Sequence, residues 1–118
     1  MNTKQLINKL NTKPEEVSFN EVIETIESDY IYKPSRFTNG SGEGTVVNDA
    51  GTNEGSCKIF AFAQVNNLSP EQTLHCFGDY YRDDVLNNPK GTDHANIRNF
   101  MITGWQGILF ETQALIKK

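Results

Sequence analysis

Between Asn48 and Phe62 the chain passes from a polar loop punctuated by Gly51 and Gly55 into its most apolar stretch. From Cys57 to Val65 the apolar residues fall almost all round a helical wheel, the pattern of a helix buried on every side. A chain carrying such a helix has to wrap its remaining elements around it. The 118 residues suffice, because a domain of this size buries roughly two-thirds of the surface that its unfolded form exposes. One domain spanning residues 1–118 is expected, with no internal repeat and no linker long enough to divide it.

The flanking sequence supplies the wrapping. Leu6, Ile7 and Leu10 place a short amphipathic helix from Thr3 to about Leu10, which Pro14 prevents from running further. Ser18 with Glu21 forms a capping box for a second helix carrying Phe19, Val22, Ile23, Ile26 and Tyr30. Glu21, Glu24 and Glu27 on its other face read as a solvated surface. Arg36 to Val47 contains Asn39-Gly40, Gly42 and Gly44 among β-favouring residues, which predicts a hairpin. After Asn66-Asn67, Ser69-Pro70-Glu71-Gln72 restarts a helix with a capping serine and proline at its first position. Leu74, Phe77, Tyr81 and Val85 extend it as one buried stripe, and Gly78 within it signals a close crossing by another element. Thr92 or Asp93 caps a last helix on which Ile97, Phe100, Met101 and Gly104 share a face, with Gly104 placed to stop it. Gly107 to Glu111 then reads as a strand able to join the hairpin, and Gln113 to Lys118 as a tail. The fold class is therefore a helix-dominated α+β arrangement, with about five helices around Cys57–Val65 and a small antiparallel sheet.

Charge and composition remove several functions. The net charge is −4 and the eleven Lys and Arg residues are scattered, so the clustered cations that neutralise phosphates are missing and no nucleic-acid partner is expected. The longest apolar run is far shorter than the roughly 20 residues that cross a bilayer, and no membrane partner is expected. Met1 to Ile7 shows neither the continuous apolar segment nor the small-residue cleavage site of a secretory signal peptide, so export by the general route is not expected. Two cysteines, Cys57 and Cys76, are too few for a disulfide scaffold, and both fall in apolar helical patterns, which fits a reducing cytoplasm. A monomer is expected.

Two kinds of site deserve weighing. A thiol in the opening turn of a helix lies near free backbone N–H groups that lower its pKa, so Cys57 is a candidate nucleophile, with Lys58 adjacent, His75 or His94 available as its base and Asp93 or Asp79 to orient it; Cys57 with His94 and Asp93 is the set taken forward. The competing reading is a buried, inert thiol. Alternatively the loop itself binds a protein or small ligand through Asn48, Asn53, Glu54, Gly55, Ser56 and Lys58, with Arg98 as a further polar contact. A helix N-terminus can hold an anion through its amides, although Glu54 opposes one. The glycine spacing before Lys58 departs from a phosphate loop, Asp49-x-Gly51-x-Asn53 lacks the later ligands of a calcium loop, and His75, Cys76, Asp93 and His94 show no metal-site spacing. No metal or cofactor is assigned. Tyr80 and Arg82 are the remaining candidates for a recognition surface.

Asn53-Glu54-Gly55-Ser56-Cys57-Lys58-Ile59-Phe60-Ala61-Phe62-Ala63, Cys76-Phe77-Gly78, Tyr80-Tyr81-Arg82, Asp84-Val85-Leu86, Gly91-Thr92-Asp93-His94, Asn96-Ile97-Arg98-Asn99-Phe100-Met101 and Gly104-Trp105 follow one another with ordinary spacing. This pattern resembles the HopJ type III effector family over most of the chain, and Phe37-Thr38-Asn39-Gly40 and Gly107-Ile108 fit it as well. The resemblance implies a bacterial protein for which delivery into a host cell by type III secretion and a housekeeping role in the cytoplasm are both open. It implies no catalytic residue, cofactor or substrate.

Overall fold

A computed structural model describes residues 1–118. Five α-helices form the body: α1 (Thr3–Thr12), α2 (Phe19–Asp29), α3 (Glu54–Val65), α4 (Pro70–His75) and α5 (Ala95–Thr103). Five short strands accompany them: β1 (Tyr30–Tyr32), β2 (Phe37–Asn39), β3 (Val46–Asn48), β4 (Ile108–Phe110) and β5 (Leu115–Lys117). The α+β expectation holds, and α3 is its centre. Cys57, Ile59, Phe60, Phe62 and Ala63 are all buried. The ring of Phe60 meets Phe37 of the sheet, Phe77 after α4, Phe100 of α5 and Trp105 beyond it, at centroid separations between 5.0 and 6.4 Å. One side chain on the central helix thus joins the three-stranded sheet to the segment after α4 and to α5, and edge-on aromatic pairs of this kind add to the burial of their area.

β2 lies between β3 and β4, antiparallel to both, so the hairpin and the strand after Gly107 form one sheet as the sequence predicts. Alternation turns Phe37 and Asn39 inward, where both are buried. The expected tail is a correction: β5 pairs antiparallel with β1, and Ala114 and Leu115 are buried beneath the chain. Leu115 inward and Ile116 outward is too short an alternation to stand out in the sequence.

Two helix expectations are also corrected. The stripe from Leu74 to Val85 is not one helix: α4 ends at His75, turns follow, and a π-helix spans Tyr80–Val85. The break is at Gly78, whose φ of +61° no continuing helix contains, and a Cβ there would lie 2.7 Å from the backbone N of Phe19. The crossing element anticipated at Gly78 is the start of α2. At α5 neither Thr92 nor Asp93 is the cap, since His94 holds that position. Met101 is 44% exposed and does not share the buried face of Ile97 and Phe100. Gly104, at φ +59°, stops α5 as expected.

Candidate functional site

Helix starts leave backbone N–H groups without intrahelical partners. In α1, α2 and α4 the side chains of Asn2, Ser18 and Ser69 each accept from the third amide of the helix, and Gln5, Glu21 and Gln72 return the bond, completing three capping boxes. The starts of α3 and α5 differ. Their cap positions, Asn53 (φ 47°, ψ 46°) and His94 (φ 51°, ψ 49°), are left-handed, and neither side chain caps its helix. Asparagine adopts this conformation with modest cost, histidine less readily. The first intrahelical bonds run from Cys57 N–H to Asn53 O and from Arg98 N–H to His94 O. The amides of the three residues before each, Glu54 to Ser56 and Ala95 to Ile97, have no acceptor within the protein.

These two starts meet at one cleft of about 470 Å³. Asn53, Gly55 and Ser56 line one side, and His94, Ala95, Asn96 and Ile97 line the other. Phe19, Phe77 and Tyr80 form the wall between them, with Val46 of β3 completing it. The wall is an aromatic series: Tyr80 packs edge-on to Phe19 at 5.1 Å and lies against the His94 ring at 5.4 Å. Gly55 admits Phe19, because a Cβ there would be 3.0 Å from the Phe19 ring.

A network of asparagines fixes the spacing of the two starts. Asn48 is fully buried, and its Oδ1 accepts from Asn53 Nδ2 at 2.7 Å and from Asn96 Nδ2 at 2.8 Å. Its own Nδ2 returns a bond to Asn96 Oδ1 at 3.1 Å, and Asn39 Nδ2 donates to Asn96 O at 2.8 Å. Asn99 Nδ2 donates to Asn39 O and Gly44 O, tying α5 to the hairpin. Buried amides joined in this way rigidify what they join.

The structure brings together some of the residues singled out in the sequence and separates others. Asn53, Gly55, Ser56 and His94 line the cleft, and Asn48 stands behind it as the link between its walls. Glu54 is exposed and outside the lining. Lys58 turns away, its Nζ 4.9 Å from the centre of the Tyr32 ring. Arg98 clips the preceding loop, donating to the carbonyls of Asp93 and Asn88 and, at 2.6 Å, to the Asp93 carboxylate. That hydrogen bond is the main reason the Asp93 carboxyl titrates below the usual range. Asp93 is thereby engaged with Arg98, while His94 Nε2 takes Asp84 Oδ2 at 3.1 Å as its nearer carboxylate.

Cys57 faces the core. It is 1% exposed, its thiol lies 3.7 Å from Ser35 O, and no hydrogen bond joins it to His94. Burial pushes its pKa up, against the lowering that an exposed helix start would give. Cys76 is buried as well, its thiol pushed up to about 12. No group of three His, Cys, Asp or Glu side chains is arranged to hold a metal ion. No helix is long and apolar enough to cross a membrane.

Sequence reasoning missed Phe19, Phe77 and Asn96 as cleft residues. Asn96 carried a signal: it lies four residues before Phe100, on the buried face of α5, where a polar side chain requires partners. The identity of those partners depended on the fold.

A crystal structure described as that of an unknown function protein, VPA0580, is similar to this chain at 50% sequence identity and a TM-score of 0.95, covering 100% of this chain and 95% of that one. No curated protein matches. The sequence model of a family described as HopJ type III effector protein matches residues 3–115, and the chain belongs to that family.

Proposed function

We propose that this protein binds a small molecule in the cleft between the starts of α3 and α5. The observation that supports this reading is the convergence of two helix starts, both without side-chain caps, on one aromatic wall. Such a cleft suits a ligand with a planar apolar part to lie against Tyr80 and a hydrogen-bond acceptor for the free amides. The acceptor is a carbonyl, carboxylate or phosphate oxygen, since backbone amides only donate. Benzoate and benzamide share a ring and an acceptor but differ in charge. Ligand-observed NMR is expected to detect binding of at least one of them, and to lose it in Tyr80→Ala. Absence of both, or binding unchanged in Tyr80→Ala, contradicts the reading.

The nucleophile reading for Cys57 with His94 and Asp93 gains nothing from the geometry, because the thiol and the imidazole serve different surroundings. Delivery by type III secretion is a second proposal, supported by the family's description. Export of the tagged protein from a type III competent strain, and its loss in a secretion-deficient one, is the expected result; retention in both contradicts delivery.

A further inference from the structure

The chain contains only two histidines, and both hold the same π-helix. Arg82, on that helix, directs Nη1 to His75 Nδ1 at 3.1 Å, and the same guanidinium donates to the carbonyls of Pro14, Val17 and His75. A guanidinium can only donate, so His75 Nδ1 has to be the acceptor, and the ring has to be neutral with its proton on Nε2. At the other end His94 Nε2 lies 3.1 Å from Asp84 Oδ2, also on the π-helix, and 3.9 Å from Asp93 Oδ2. This second contact ties the π-helix to the start of α5.

We infer that the π-helix Tyr80–Val85 is a pH-sensitive strap, closed while His75 is neutral and accepts from Arg82, and loosened when His75 is protonated. Because the strap carries Tyr80, its loosening alters the wall of the cleft, and the inference stands whether or not the cleft takes the ligand proposed above.

The surroundings of each ring agree with these roles. His75 faces Arg82 from the π-helix, the Tyr81 ring at 5.6 Å, Glu71 from its own helix and Glu15 from the turn after α1. Burial first, and then the charge of Arg82, hold its pKa below the ordinary histidine value, while the two glutamates pull it partly back. His94 faces Asp84 and Tyr80 from the π-helix and Asp93 from its own segment, with Arg98 of α5 behind Asp93. The lining of α3 opposite it, Asn53, Gly55 and Ser56, contributes no charge. For a histidine lowered on folding, the unfolded chain binds more protons between the two pKa values, so the stabilisation is complete above the unfolded value of about 6.5 and is lost as pH falls. That sets the acid side on which the strap loosens.

Amide hydrogen exchange tests the strap, through the protection of the Tyr81, Arg82 and Leu86 amides, which bond to Gly78 O, Gly78 O and Tyr81 O. After correction for intrinsic rates, protection is expected to fall about threefold or more as pH drops below about 6.5, while α3 stays protected. His75→Asn keeps an acceptor at the Nδ1 position but cannot be protonated, and is expected to abolish the acid-side fall. His94→Gln leaves the His75 contact intact and is expected to keep that fall. A flat wild-type profile, or an acid-side fall that His75→Asn retains, overturns the inference. Ring titration of His75 in the wild-type protein by NMR gives a check that needs no variant: its midpoint has to coincide with the fall in protection, and a mismatch overturns it equally.

Discussion

Three of the five α-helices begin in one way and two in another. At α1, α2 and α4 the cap side chain takes the third amide and the third side chain returns the bond, so the start of the helix is closed chemically. At α3 and α5 the cap residue is left-handed, its side chain is occupied elsewhere, and the first amides open onto a cleft. Asn53 spends its amide on Asn48, and His94 its imidazole on Asp84. A protein that caps helices well where nothing else is needed, and leaves two starts open where they meet, concentrates unsatisfied donors and backbone strain in one place. That concentration is what supports the proposed binding site.

The comparison can be broken first at Cys57, which occupies the opening turn of an uncapped helix yet faces the core. Its alkylation by iodoacetamide in the native protein is expected to be about a thousandfold slower than that of a free thiol, because burial outweighs the helix start. Mass spectrometry of the labelled peptide checks this, and reaction at the rate of a free thiol revives the enzyme reading. Next comes Asn48, the link between the two open starts. Asn48→Ala strands the amides of Asn53 and Asn96 and is expected to cost about 2–3 kcal/mol in urea unfolding, with cleft resonances broadened. A loss below about 0.5 kcal/mol means that the network does not hold the walls. The smallest effects distinguish the two kinds of start directly. Ser18→Ala is expected to cost about 1 kcal/mol, the ordinary value of a lost cap. Asn53→Gly is expected to leave stability within about 0.5 kcal/mol, because relief of the left-handed conformation offsets the loss of one part-buried hydrogen bond to Asn48. Equal losses at Ser18 and Asn53 erase the distinction.

The same contrast explains what the sequence made legible. The capping boxes of α2 and α4 are local patterns, Ser18 to Glu21 and Ser69 to Gln72, and could be read directly. The apolar wheel of Cys57 to Val65 likewise announced the core helix, and Gly107 to Glu111 announced a strand, because both are patterns of near neighbours. The open starts had no such pattern. Asn53 is unremarkable until Asn48 and Asn96 are brought beside it, and the latter is 43 residues away in a helix whose cap was expected at Thr92 or Asp93. β5 was hidden for a related reason, since three residues of alternation mean little without β1 alongside. Half of the cleft was therefore visible as the loop from Asn48 to Ser56, while the aromatic wall and the start of α5 depended on long-range packing.

The central claim is that the starts of α3 and α5 act as one site. Titrating the ¹⁵N-labelled protein with benzoate and following the amides of Gly55, Ser56, Asn96 and Ile97 tests it most directly. The account predicts that all four shift together along a single saturation curve with one dissociation constant. Shifts confined to one helix start, or scattered over the surface while these four stay still, would contradict it.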